Sequence, residues 1–438
     1  MPSLPGKGIV PRIFDSASRE LIEARPAAAG SGGAGSGGAG SSAAGSGGAG
    51  SSSAGSAVAS IYVCGITPYD ATHLGHAATY LAFDTLIRLW LDAGLDVRYV
   101  QNTTDVDDPL LERAARDGVD WRVLAAEQTD LFRSDMESLR IIPPDHYVAV
   151  TEEITAIAES VLELEDRGIA YRVDSPDAAP DIYFDSSIVT PDWHLSRESN
   201  LDRATMLELS AERGGDPQRP GKRDPLDPLL WRSERAGEPA WDSVLGRGRP
   251  GWHIECSVIA LRYLPSPVTV NAGGSDLLFP HHEFSAGHAA ALSGHAFARI
   301  YSHAGMVAYR GEKMSKSLGN LVLVSRLVAD GIDPRSIRLT LLAQHYRSDW
   351  EWTDALLASA EERLSSWEAW AAVPTDTDAD AANAADELFL AELRNLLSND
   401  LDTPGALAAI DAHIAAGTPA SAILITAIDA LLGIRLQC

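Results

Sequence analysis

Residues 58–108 carry the pattern that most restricts the fold. Val58-Ala-Ser-Ile-Tyr-Val-Cys64 is a largely apolar run of strand length that ends at Gly65. A turn, Thr67-Pro-Tyr-Asp70, leads to His73-Leu-Gly-His76. From there Leu74, Ala77, Ala78, Leu81, Leu86, Leu89 and Trp90 recur at helical spacing until Gly94 stops the helix. Asp96-Val-Arg-Tyr-Val-Gln101 is a second strand, and it ends in Asn102-Thr-Thr-Asp-Val-Asp-Asp108. Strand, helix and strand in so short a span form a βαβ unit. That unit requires a parallel sheet and places ligands at the strands' C-terminal ends. Cys64, Gly65, Ile66, Thr67, Asn102, Thr103 and Thr104 fall at such ends.

The rest of the 438 residues arrange themselves around this unit. Residues 1–60 hold one strand-like piece, Ile9-Val-Pro-Arg-Ile-Phe14. It is followed by a run, 26–56, made almost wholly of Gly, Ser and Ala. Such a run has nothing to bury and reads as a flexible insertion. Residues 61–150 are the first half of a nucleotide-binding fold, helical from 109 onward. Residues 151–248 read as an inserted connecting domain, irregular and rich in Pro and Gly from residue 170. Residues 249–330 are the second half, with a helix over 257–263 and a strand, Val268-Thr-Val-Asn-Ala272, ending in Gly273-Gly-Ser-Asp276. Pro280-His-His-Glu283 opens a further helix, and a strand around 299–303 leads to Ala304-Gly-Met-Val307. Residues 331–438 read as helical and acidic to the end.

Composition narrows the chemistry. The chain has four lysines, and two of them, Lys313 and Lys316, lie in Gly311-Glu-Lys-Met-Ser-Lys-Ser-Leu-Gly319. Two ammonium groups and two hydroxyls on a Gly-flanked loop suit a developing phosphate charge such as departing pyrophosphate. The formal net charge is -26, so broad contact with a nucleic acid would be repelled. From 354 to 438 there are fourteen Asp plus Glu against three Arg (Arg363, Arg394, Arg435) and no Lys. Three cysteines (Cys64, Cys256, Cys438) make no disulfide framework, and no apolar run has the length of a membrane span. These features point to a cytoplasmic chain. Cys64, Cys256 and His281 could together bind zinc. Their scatter along the chain, however, makes two buried thiols and a capping histidine the better reading from spacing alone.

Lys313-Met-Ser-Lys-Ser317 resembles the second signature of class I aminoacyl-tRNA synthetases, and His73-Leu-Gly-His76, 240 residues earlier, resembles the first. Cys64-Gly-Ile-Thr67, Trp252-His-Ile-Glu-Cys256 and His281-His-Glu283 are similar to segments of cysteinyl-tRNA synthetases. The chain departs from these at Phe284-Ser285, where their pattern has Asn-Glu and the Glu is a fourth zinc ligand. With Glu212-Arg-Gly-Gly-Asp-Pro217, that departure resembles the paralogous cysteine ligases of mycothiol synthesis.

The resemblance implies a class I synthetase-type Rossmann (HUP-like) α/β fold with an inserted connecting domain and a C-terminal all-α bundle. It also implies ATP-dependent joining of L-cysteine to the amine of glucosaminyl-inositol through cysteinyl-adenylate. ATP would enter with Mg2+, one zinc would be bound by Cys64, Cys256 and His281, and the chain would act as a monomer without nucleic acid or membrane partners. Thr67, Thr104 and Trp252 would surround the cysteinyl group, beside donors from Gly65 to Thr67 and from Asn102 to Thr104. His73 and His76 would meet the phosphates, with Thr79 one turn on. Gly274, Ser275 and Asp276 would contact the ribose, Val307 the adenine through its backbone, and Lys313 and Lys316 the pyrophosphate. A cysteinyl-tRNA synthetase and a catalytically inactive synthetase-like binding protein are the alternatives.

Overall fold

The computed structural model describes residues 1–26, 58–176, 178–314, 320–373 and 379–436. The Gly/Ser/Ala run, Lys316 and Cys438 lie outside them. An N-terminal hairpin, β1 (Arg12–Asp15) and β2 (Glu20–Glu23), precedes the predicted unit of β3 (Val58–Ile66), α1 (Leu74–Asp92) and β4 (Asp96–Thr103). After α2 (Asp108–Asp117) and α3 (Trp121–Ser138), a short strand, β5 (His146–Ala149), runs directly into α4 (Val150–Asp166). Four strands, β6 (Ala170–Ser175), β7 (Ala178–Phe184), β8 (Leu229–Ser233) and β9 (Gly248–Pro250), enclose α5 (Arg203–Glu212). Then come α6 (Trp252–Tyr263), β10 (Val268–Gly274), α7 (Glu283–Ser293) and β11 (Ala298–Ala304). They are followed by β12 (Val307–Tyr309), β13 (Glu312–Lys313), α8 (Val324–Ala329), α9 (Pro334–Leu342) and β14 (Trp350–Trp352). Helices α10 (Asp354–Ala371), α11 (Ala379–Ser398), α12 (Thr403–Ala415) and α13 (Ala422–Leu432) close the described chain.

The main sheet has the order β11-β10-β3-β4-β5, and every neighbouring pair in it is parallel. Central β3 is apolar along both faces because helices cover both, as a parallel sheet requires. One core joins α1 and α3 to the C-terminal helices through Leu86, Trp90, Phe132, Trp367 and Leu431; the other joins β3 to α4, α6 and α7 through Ile154, Ile259 and Phe284. The chain leaves β3 toward β4 on one side, while β10 lies on the other. The crevice at this reversal of direction is where an open α/β sheet binds ligands.

Three expectations need correction. Residues 170–248 are not irregular: β6-β7-β8-β9 form an antiparallel sheet. Its strands are short and interrupted by Pro and by charges whose partners lie far away in sequence. Asp181, for example, holds Arg219 and Arg235, each through an oxygen at 2.7 Å. The region 109–165 includes a strand, β5, and the C-terminal region is broken by β14, which pairs parallel with β12.

The acidic C-terminal helices are fastened to α1 by buried charge. Asp84 on α1 accepts from Arg88 Nε at 2.8 Å, from Arg338 of α9, and from the Ile142 amide at 2.9 Å. Arg338 is fully buried and also donates to the carbonyls of Leu139 and Leu432, both at 2.6 Å. Burial alone would raise the Asp84 carboxyl, but the two guanidiniums hold it below its ordinary range. Its stabilising contribution is therefore present above the unfolded carboxylate pKa and is lost as pH falls through that range. Asp84→Ala leaves two buried guanidiniums unpaired. It is expected to cost about 3–5 kcal/mol in urea unfolding at neutral pH, and a loss below 1 kcal/mol would refute the clamp.

Candidate active site

At the C-terminal end of β3 the chain comes close to its neighbour. A Cβ on Gly65 would lie 1.6 Å from the Asn102 carbonyl oxygen, so only glycine fits there. Asn102 itself is a hub. Its Oδ1 accepts from Tyr62 OH at 3.0 Å and from the Gly65 amide at 2.8 Å, with Cys256 Sγ 3.7 Å away. Its Nδ2 donates to Thr104 Oγ1 at 3.1 Å, and the Thr104 amide donates to the Ile66 carbonyl at 3.0 Å. The two predicted strand ends are thus laced into one wall, with Thr67 at its edge.

The scattered Cys64, Cys256 and His281 converge in this wall. Their donor atoms all lie within 4.8 Å of one another, and all three residues are buried. Cys64 lies near the end of β3, Cys256 sits one turn into α6, and His281 lies in the turn before α7, so three separate elements build the cluster. His281 Nε2 is 3.2 Å from Cys256 Sγ, and its Nδ1 is 3.1 Å from His253 Nδ1. The ring nitrogen turned away from the cluster is therefore held by a neighbour, as metal-binding histidines require. Burial pushes the Cys256 thiol up. The bond from Cys64 and the adjoining His281 ring outweigh that effect and hold Cys256 well below the ordinary thiol range. Cys64 moves the other way, raised by burial and by its bond to Cys256. Two sulfurs, one of them readily ionised, and an oriented imidazole are a donor set suited to a tetrahedral metal with one position left over. Ser285 does not join it: its hydroxyl donates to the His281 carbonyl at 2.5 Å, one turn back along the helix.

Four groups around this cluster carried no sequence signal of their own. His282 Nε2 lies 3.2 Å from Cys64 Sγ; its Nδ1 is 2.7 Å from His303 Nε2; and His303 Nδ1 is 2.8 Å from Ser16 Oγ. Burial drives both imidazoles toward the neutral form, His303 to about 4. Ser16, the two rings and Cys64 thus form one continuous hydrogen-bonded chain, with the direction of donation set by the ring tautomers. The fourth, His253, backs His281. Only the clustering of histidines around 281 hinted at any of this. Trp252, the first residue of α6, stacks on His281 with ring centroids 4.4 Å apart. It is half-buried at the cluster rather than part of the core.

The first signature meets the segment that follows the lysine loop. His73 caps α1, with Nδ1 accepting from the Gly75 amide at 3.1 Å, and its ring stacks on His76 at 3.9 Å. Both imidazoles therefore stand at a helix N-terminus, where backbone amides favour an anion. Thr79 Oγ1 donates to the Gly75 carbonyl at 3.2 Å and faces Gly274 across the crevice. Gly274 ends β10, and Ser275 and Asp276 form the short 3-10 turn after it. Val307 opens β12, its carbonyl accepting from the Met314 amide at 3.3 Å. Lys313 closes β13, and Lys316 lies outside the described residues. Past the lysine loop the chain returns to the first signature: the Leu74 amide donates to the Val322 carbonyl at 3.0 Å, and the Val324 amide to Thr72 at 3.1 Å. Asn320 anchors that return by donating to the Tyr309 carbonyl at 3.0 Å. Asp107 is a helix cap, bonded to the Asp108 amide at 2.8 Å. Arg213, in the Glu-Arg-Gly-Gly-Asp-Pro segment, braces the 276–279 turn by donating to the carbonyls of Asp276 and Phe279, both at 2.5 Å.

Taken together, a five-stranded parallel sheet with the first signature at its C-terminal edge, an inserted region and C-terminal helices form a class I synthetase-type α/β fold. The model of the family described as tRNA synthetases class I (C) catalytic domain matches residues 52–362, and the chain belongs to that family. Among relatives, it is 60% identical to an L-cysteine:1D-myo-inositol 2-amino-2-deoxy-alpha-D-glucopyranoside ligase from Clavibacter michiganensis, over 100% of this chain and 97% of the relative. It is 55% identical to a ligase of the same name from Salinispora tropica, over 100% of both. A solved methionyl-tRNA synthetase from Mycobacterium tuberculosis, in complex with methionyl-adenylate, covers 85% of this chain and 88% of its own with a TM-score of 0.57. At 18% identity that likeness shows the fold alone.

Proposed function

We propose that the chain joins L-cysteine to the amine of 1D-myo-inositol 2-amino-2-deoxy-alpha-D-glucopyranoside in two steps. What carries this reading is likeness to ligases of that name along the whole chain, the acidic C-terminal helices included. In the first step a cysteine carboxylate oxygen attacks the α-phosphorus of ATP. The bond from that phosphorus to the bridging oxygen breaks, and pyrophosphate leaves. In the second step the free amine attacks the acyl carbon. The carbon–nitrogen bond forms, the acyl–oxygen bond to phosphate breaks, AMP leaves, and the nitrogen gives up its proton to water.

The donor set of Cys64, Cys256 and His281 fits zinc, which when bound supplies a soft fourth position for the substrate thiolate and so favours cysteine over serine. Trp252 and Thr67 flank the cysteinyl group, while Asn102 and Thr104 hold the wall behind it. His73 and His76 take the triphosphate, which enters with Mg2+, at the start of α1; Gly274, Ser275 and Asp276 take the ribose; and Val307 takes the adenine. Lys313 and Lys316 close on the leaving pyrophosphate. The residues from 61 to 150 and 249 to 330 form the nucleotide-binding core, and 151–248 and 331–438 are its inserted and C-terminal domains. Among the described residues no helix is long and apolar enough to cross a membrane; the chain is proposed to be a cytoplasmic monomer.

The C-terminal helices favour a small acceptor over tRNA. Arg394 donates to Asp92 at 2.7 Å and Arg363 to Asp411 at 2.9 Å, while Arg435 lies 3.7 Å from Asp429. These are the three basic residues of the segment after Asp354, and each already faces a carboxylate, so little charge remains to hold a phosphate backbone. With ATP, labelled cysteine and both acceptors present, label is expected on the amino sugar and not on bulk tRNA. Label on tRNA alone would establish a cysteinyl-tRNA synthetase instead.

A further inference from the structure

We propose that the acceptor amino sugar binds in a cavity of about 420 Å³ between α3, the C-terminal ends of β4 and β5, and the loop carrying Trp241. This rests on the ligase reading above and assigns the half of the site that the adenylate machinery leaves unexplained.

The location follows from strand geometry. Successive residues of a strand point to opposite faces. Asn102 faces the cysteine cluster, so the next residue, Thr103, turns to the other side of the same strand end, and there it lines the cavity. Acceptor and cysteine would thus approach one edge of the sheet from two sides.

The lining is suited to a polyhydroxylated amine. Thr103 is 3% exposed, and its hydroxyl and that of the neighbouring Tyr147 are left to each other, with no other hydrogen-bond partner among the described residues. Each oxygen keeps acceptor capacity that a ligand's hydroxyls would use. At the rim, Trp121 and Trp241 stand edge to face with centroids 6.3 Å apart; the Arg122 guanidinium lies over the Trp121 ring at 4.3 Å, and Trp241 offers the flat apolar surface that the C–H face of a sugar ring covers. Asp105, Asp130 and Glu152 line the same cavity with Arg122 and Arg133; Arg133 faces Asp130 at 3.9 Å and Arg122 faces Asp120 at 3.8 Å, which leaves Asp105 and Glu152 to supply negative charge for an ammonium. Asp105 is anchored by the Thr151 amide at 3.0 Å and the Thr151 hydroxyl at 2.5 Å, so its position is set before any ligand arrives.

A second cavity, of about 510 Å³, lies over the antiparallel sheet of the insertion. Its charges are already matched internally: Asp181 with Arg219 and Arg235, Asp216 with Lys222 and Tyr183, and Arg232 with Glu238. It lacks the paired aromatic rim.

The test uses two variants. Ala126→Trp projects a ring into the cavity from an exposed position on α3, and Trp241→Ala removes one wall. Both are expected to raise KM for the amino sugar at least tenfold. Cysteine-dependent ATP–pyrophosphate exchange, which needs no acceptor, should stay within twofold of wild type and so also report an intact fold. Wild-type KM for the amino sugar in both variants would overturn the assignment. Loss of exchange in both would overturn it as well, because the cavity would then not be separate from the adenylate site. Wild-type protein that exchanges but never ligates the sugar would instead overturn the ligase reading itself.

Discussion

Cys256→Ala is expected to lower zinc from about one equivalent to near none and to cut cysteine-dependent ATP–pyrophosphate exchange roughly 10³-fold. The sulfur removed is the one that the bond from Cys64 and the His281 ring, 3.2 Å away, hold below the ordinary thiol range against the effect of burial. The two remaining donors, Cys64 and His281, are too few for a closed tetrahedral site, and Ser285 cannot substitute because its hydroxyl is committed to the His281 carbonyl. Selectivity should fall with the metal. A site that recognises a thiolate rejects the hydroxyl analogue strongly, so residual exchange in the variant should hardly distinguish cysteine from serine. The fold should persist, since the cluster sits on elements held by two extensive apolar cores. Zinc content and exchange both at wild-type level would remove the metal from the scheme.

How much of this could be read from the chain depends on how local each signal is. The β3–α1–β4 unit was legible because apolar spacing changes from strand to helical period and back within one continuous stretch. The antiparallel sheet of the insertion was not. Its register is set by contacts such as Asp181 with Arg235, 54 residues apart, and β9 is only the three residues Gly248–Pro250. Strand β5 was hidden because it is four residues long and joins α4 without a turn. The site divides in the same way. His73 and His76 are adjacent in one helix start and announce themselves. Cys64, Cys256 and His281 come together only because β3, α6 and the turn before α7 meet at one sheet edge, and their spacing alone gave no reason to group them. The relay from Ser16 through His303 and His282 is less visible still, since it joins the N-terminal hairpin to a strand nearly 290 positions away. The buried Asp84–Arg338 pair likewise looks, in sequence, like two ordinary surface charges on helices.

Lys316→Ala is expected to reduce ATP–pyrophosphate exchange by about 10²–10³-fold, with the loss in kcat rather than in KM for cysteine. In the first step negative charge builds on the oxygen joining the α- and β-phosphates as that bond breaks. A chain with a net charge of -26 and four lysines has few ways to meet it. Two of the four are in this loop, and its ends are anchored close to the phosphate side of the crevice. On one side β13 pairs antiparallel with β12. On the other, residues 322–324 are bonded to Thr72 and Leu74, which flank His73. A cation carried between those anchors is proposed to act on the leaving group and not on the cysteine pocket. Its removal should therefore spare cysteine binding and zinc content. Lys316→Arg should restore part of the rate, since the charge returns in a different shape. Exchange in Lys316→Ala within a few-fold of wild type would show that pyrophosphate is stabilised elsewhere, with His73 and His76 at the start of α1 the first place to look.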